Sequence, residues 1–140
     1  MAEEMNIHKT DITFEDGHTI HFMYDQDSDD LEIVFERGRA NCTVELTEHI
    51  ILRLDRERKI ALSLILVGFS SLTQPTEVGP RSFPMASLDH LSADLRQTVF
   101  KIITTPPVNR FLKVSCFTPT PAERIPITYV ERPAALAALA

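Results

Sequence analysis

The 140-residue sequence predicts an α+β domain, an antiparallel β meander packed against one main α-helix, with one or two further short strands towards the C-terminus. Three observations predict it. Apolar and polar residues alternate with period two through a series of short runs in the first half of the chain. Turn-forming residues separate those runs closely enough to favour antiparallel neighbours, because parallel pairing needs a long crossover. One stretch, between residues 91 and 103, carries helical periodicity instead.

The first run places Ile12 and Phe14 among polar neighbours up to Asp16-Gly17, a dipeptide suited to a tight hairpin turn, after which Ile20, Phe22 and Tyr24 alternate again. A polar stretch from Asp25 to Asp30 leads into Leu31, Ile33 and Phe35, a third strand ending at Arg37-Gly38. Val44 and Leu46 mark a fourth strand, and Ile50, Leu52 and Leu54 share one face of a fifth. A charged turn over residues 55–59 then opens the run from Ile60 to Val67. There Ile60, Leu62, Leu64 and Leu66 fill one face, while Ala61, Ser63, Ile65 and Val67 leave the other largely apolar. Both faces of that strand call for cover, from the later helix on one side and from a second copy or a partner on the other.

Residues 73–84, rich in Pro, Gly, Ser and Thr, read as a loop or linker. The helix follows, with Ser92 as N-cap, Asp94 at its positive end, and Leu91, Leu95, Val99, Ile102 and Ile103 at helical spacing until Pro106-Pro107 stops it. The apolar runs 108–117 and 125–130 are flanked by prolines at 119, 121, 126 and 133, which suits edge strands. The whole reads as a single domain over residues 1–133, with the sheet in 1–72 and the helix and short strands in 85–133, and residues 134–140 as a frayed tail. No internal repeat emerges from residue-by-residue comparison.

Composition sets further bounds. With 44% hydrophobic and 24% charged residues the chain has the balance of a soluble globular protein. The net charge of -6, from 20 acidic and 14 basic residues, argues against nucleic acid as a partner, and the basic stretch 53–59 is interrupted by Asp55 and Glu57. Residues 1–9 lack the pattern of a secretory signal, and the apolar run 60–69 is about half the roughly 20 residues that a membrane helix needs. Cys42 and Cys116 read as buried thiols. A cytoplasmic protein without cofactor or membrane attachment is the expectation.

Tyr24, Asp25, Asp29, Leu31 and Ile33, followed by the strand 50–55 and the closing strand 60–66, resemble a small bacterial family known as domain of unknown function 2283. Glycines usual in that family are replaced by Arg58 and Leu62, and the chain continues well beyond the family's usual end. The resemblance implies a small antiparallel sheet packed on a helix, without established catalytic residues, and some family members look like partners of small toxin-like proteins.

The candidate sites are few. Asp25, Asp27, Asp29 and Glu36 fall at positions 1, 3, 5 and 12 of a calcium-loop template, but Asp30 stands where the turn needs glycine. His18 and His21 point to opposite faces of one strand, and His49 and His90 are isolated beside Glu48 and Asp89. Ser70-Ser71 after Gly68 lacks the second glycine of a nucleophile elbow, and the glycines at 17, 38, 68 and 79 build no phosphate loop. The expectation is a noncatalytic protein-interaction module that self-associates through Ile60, Leu62, Leu64, Ile65 and Leu66, or binds another protein. The alternatives are a small enzyme or a ligand- or metal-binding protein using the turn Asp25 to Asp30 with His21 or His49, and an antitoxin-like partner of a small toxin. Asn109, Arg110 and Lys113 form a polar patch without an assigned role in the segment 81–133.

Overall fold

The computed structural model describes residues 7–74, 76–77 and 81–131. The predicted alternation produces β1 (Ile7–Thr13), β2 (Thr19–Asp25), β3 (Asp30–Val34), β4 (Cys42–Thr47), β5 (Ile50–Asp55) and β6 (Ile60–Val67). All pairings in this sheet are antiparallel, and its order is β1-β2-β3-β6-β5-β4. The expected meander is therefore two meanders, β1-β2-β3 and β4-β5-β6, folded back so that their last strands pair at the centre.

The two halves share their turn chemistry at a spacing of 30 residues. In one, Asp25 Oδ1 accepts the backbone N–H groups of Asp27 and Ser28 at 3.0 and 3.4 Å, and Asp29 takes φ 58°. In the other, Asp55 Oδ1 accepts those of Glu57 and Arg58 at 3.0 and 3.2 Å, and Lys59 takes φ 57°. Each aspartate shapes a four-residue loop by hydrogen bonding to its own backbone, and each loop closes on a left-handed residue. The repeat escapes residue comparison because the aspartates alone define it, in surroundings as different as Gln26-Asp27-Ser28 and Arg56-Glu57-Arg58.

The sequence reading of β6 needs one correction. Arg53 lies opposite Ser63 but Leu54 lies opposite Ala61, so Leu62 is an extra, bulged residue. Its carbonyl accepts two N–H groups, from Phe35 at 2.9 Å and Glu36 at 3.2 Å. The bulge shifts the strand by one residue, which turns Ala61 into the core beside Leu64 and Leu66 and takes Leu62 out of it.

The C-terminal half covers one face. A short helix α1 (Phe69–Leu72), a 3-10 turn over Ala86–His90 and the main helix α2 (Ala93–Ile103) contribute Phe69, Leu72, Leu88, Leu95, Val99, Ile102 and Ile103 to the cluster that contains Ile20, Phe22, Ile33, Leu52 and Leu64. The Ser92 hydroxyl caps α2 by accepting the Leu95 N–H at 3.3 Å, as its position predicts. Phe111 stands at the centre of this layer, 1% exposed, with its ring 5.7 Å from that of Phe22, 6.0 Å from Phe35 and 6.4 Å from Phe14.

A second sheet of three strands has the order β7-β9-β8, from β7 (Ser82–Pro84), β8 (Leu112–Thr120) and β9 (Glu123–Val130). β7 falls within the expected linker 73–84, of which residues 75 and 78–80 lie outside the described residues, as does the expected tail 134–140. β9 is central although it contains Pro126. β7 is short enough to stop at the Pro84–Ile127 pair, and the Pro126 carbonyl accepts the Met85 N–H beyond it, at 2.9 Å. Residues 108–110 form a 3-10 turn instead of the start of a strand. Cys42 is half-buried at the start of edge strand β4, whereas burial was expected, and the Cys116 side chain lies outside the described part.

Replacing Phe111 with alanine removes the ring on which three others converge. Chemical denaturation should show a loss of about 3–5 kcal/mol.

Candidate functional site

The acidic turn between β2 and β3 does not converge as a cation site. Asp29 instead fastens the turn to the chain after β6. Its Oδ1 accepts the Tyr24 hydroxyl at 2.5 Å and the Ser70 hydroxyl at 2.8 Å, its Oδ2 accepts the Ser70 N–H at 3.1 Å, and its carbonyl accepts the Phe69 N–H at 2.7 Å. Asp30 accepts the Gly68 N–H at 3.3 Å. Asp25 is committed to its own turn, and Glu36 lies across the sheet, bonded by Arg58 Nη1 at 2.5 Å. Among the described residues no group of three or more His, Cys, Asp or Glu side chains is placed to hold a metal ion.

The histidines are dispersed. His18 is exposed in the β1–β2 turn, and His21 Nδ1 lies 2.7 Å from Asp11 Oδ1 on the neighbouring strand. The His49 ring packs edge-on against Phe83 at 6.0 Å, and His90 is exposed at the end of its 3-10 turn. Ser70 gives its hydroxyl to Asp29 and Ser71 contacts Arg81, so neither serine is paired with a histidine in the manner of a catalytic nucleophile. Arg110 stacks on Phe14 at 4.4 Å and approaches Asp16 at 3.5 Å, Lys113 bonds the Asn109 carbonyl at 2.9 Å, and the polar patch of 108–113 is thus tied into the fold.

Two of the hollows that border the large sheet lie at its β4 edge and on its open face. One of about 380 Å³ lies between the β4–β5 turn and residues 83–87, where the Ser87 hydroxyl donates to the carbonyls of Glu45 at 2.6 Å and Leu46 at 3.1 Å and so covers part of the β4 edge. The other, about 270 Å³, lies on the sheet face opposite the helices and is lined by strand and loop residues, among them His21, Met23, Glu32, Val34, Arg53 and Leu62.

That face is the principal feature that sequence reasoning placed only in part. Alternation puts Met23, Val34, Ile51, Ile65 and Val67 on it, each half-buried by its neighbours and none a member of the core cluster. Ile7, the exposed large hydrophobic residue at 38%, shares the face at the β1 corner, since its register partner Asp25 follows Met23 by two. In the middle Arg53 Nη1 lies 3.4 Å from Glu32 and donates to the buried Ser63 hydroxyl at 3.1 Å. Of the five expected interface residues, Ile65 lies on this face. Leu62 lines its hollow but is 3% exposed, Leu64 and Leu66 are fully buried in the core, and Ile60 is half-buried beside Ile102 and Pro106.

No family model matches the chain, and no similar curated protein or solved structure was found.

Two outcomes follow from the turns. Asp29→Ala strips three donors, the Tyr24 hydroxyl and the Ser70 hydroxyl and N–H, of their acceptor carboxylate and leaves alanine in a left-handed backbone, and should cost roughly 2–4 kcal/mol in denaturant unfolding, with Asp29→Asn milder because asparagine tolerates that backbone. The Arg58 backbone N–H holds the Asp55 carboxylate below the ordinary 3.8, and that of His18 does the same for Asp16. A lowered folded pKa stabilises above the unfolded value and is lost as pH falls through the folded one. The stability margin of the wild type over Asp55→Asn should therefore be full at neutral pH and close as pH drops below about 3.8, read from denaturation midpoints at both ends.

Proposed function

We propose that the protein is a noncatalytic protein-interaction module that self-associates through the uncovered face of its six-stranded sheet. The observation that carries this reading is the apolar set Ile7, Met23, Val34, Ile51, Ile65 and Val67 on the face opposite the helices, none of which belongs to the core cluster that the helices and the second sheet share. Contiguous apolar surface on a sheet face is stabilised by exclusion from water, and a second sheet packed face to face supplies that. The dispersal of histidines, serines and carboxylates, which do not converge on one site among the described residues, supports binding over catalysis.

The test is solution mass by light scattering over a range of concentrations. The wild type should form a dimer, and Ile65→Asp should weaken it by roughly thirtyfold or more while leaving the circular dichroism unchanged. Leu64→Asp serves as contrast, since a charge in the fully buried neighbour should unfold the domain. A wild type that stays monomeric at high concentration overturns the proposal.

A further inference from the structure

Cross-strand registers place one row of side chains on the uncovered face that reads Lys9, Met23, Glu32, Ile65, Ile51, Glu45 from the β1 edge to the β4 edge. Its ends carry opposite charges. Lys9 and Glu45 are exposed, and neither has an ion-pair partner among the described residues. Resting on the reading above, we infer that two copies pack this face together about a two-fold axis that runs parallel to the strands, so that the β1 edge of each copy lies over the β4 edge of the other and Lys9 meets Glu45 twice.

The charges select this axis. A face-to-face dimer with a closed two-fold has its axis in the plane of the interface, and where the two sheets pack aligned it runs nearly along the strands or nearly across them. An axis across the strands, running along the row, sets each edge over the same edge, which brings Lys9 onto Lys9 and Glu45 onto Glu45. An axis along the strands exchanges the edges and turns both repulsions into attractions. Packed sheets lie roughly 10 Å apart, a gap that a lysine and a glutamate reach across from opposite sides. The Glu32–Arg53 pair near the centre enters the interface already neutralised and bonded to Ser63, so burying it leaves no charge alone.

The area is adequate. Six strands at about 4.8 Å and rows of about 20 Å along the strand give a flat footprint of roughly 600 Å² per copy before side-chain relief is counted, at the lower end of what stable complexes bury.

Sedimentation equilibrium of Lys9→Glu, Glu45→Lys and the double variant tests the inference. Each single reversal should weaken the dimer by roughly tenfold at low salt, and the double variant should restore it to within about threefold of the wild type. Singles that leave a wild-type dimer unchanged, or a double variant that stays weakened, overturn the axis and leave the self-association reading standing. A wild type that never dimerises removes both.

Discussion

The pairing of β3 with β6 is the contact on which the remainder of the structure depends. It joins two meanders that are each three strands wide, the least that holds together in water, and then only with an apolar face to bury. Leu31 opposite Leu66 and Ile33 opposite Leu64 make the seam apolar on the core side, so one continuous six-stranded surface meets α2 and Phe111 instead of two separate ones. The bulge at Leu62 belongs to the same seam. Its carbonyl accepts both Phe35 and Glu36, and this ends the β3 ladder while the extra residue turns Ala61 into the core.

The acidic turns support that seam from outside. Asp25 and Asp55 shape equivalent loops, but only the first is followed by an aspartate in the left-handed position, whose carboxylate reaches another element. Asp29 binds Tyr24 on its own strand and Ser70 in the chain leaving β6, so the seam is closed at one end by side-chain bonds as well as by the ladder. What the spacing of carboxylates suggested as a cation loop is a clamp between secondary-structure elements. The difference is invisible in the sequence, because Ser70 lies 41 residues from Asp29 and its approach depends on where β6 ends.

Local patterns were legible and long-range pairing was not. Period-two alternation located β1 to β6, and Ser92 with its apolar spacing located α2, because those signals reflect the single buried face that each element presents. The strand order was hidden, since short connections are equally consistent with a meander and with a fold-back after β3. β7 was hidden for another reason. Ser82-Phe83-Pro84 has no alternation of its own and is a strand because β9 supplies its ladder. For the face proposed to bind, the doubly apolar character of β6 was legible, yet the bulge reassigns Leu62, and the register with β1 and β4 that brings Lys9 and Glu45 into one row emerges only from the assembled sheet.

The polar groups on the uncovered face fit its proposed role better than an entirely apolar surface would. A flat sheet of isoleucine and valine with two unpaired edges associates without register and continues into aggregates. Here Arg53 reaches over β6 towards Glu32 and Ser63, so every copy has a fixed polar mark on an otherwise apolar field, and mismatched packings set a neutral pair against it in the wrong place. At the edges, the Ser87 hydroxyl covers two β4 carbonyls, and Lys9 and Asp11 put charge along β1, which discourages edge-to-edge growth. With both edges blunted, the face is the surface proposed for a second copy, and in that proposal the charges at its two ends decide which way round the copy sits.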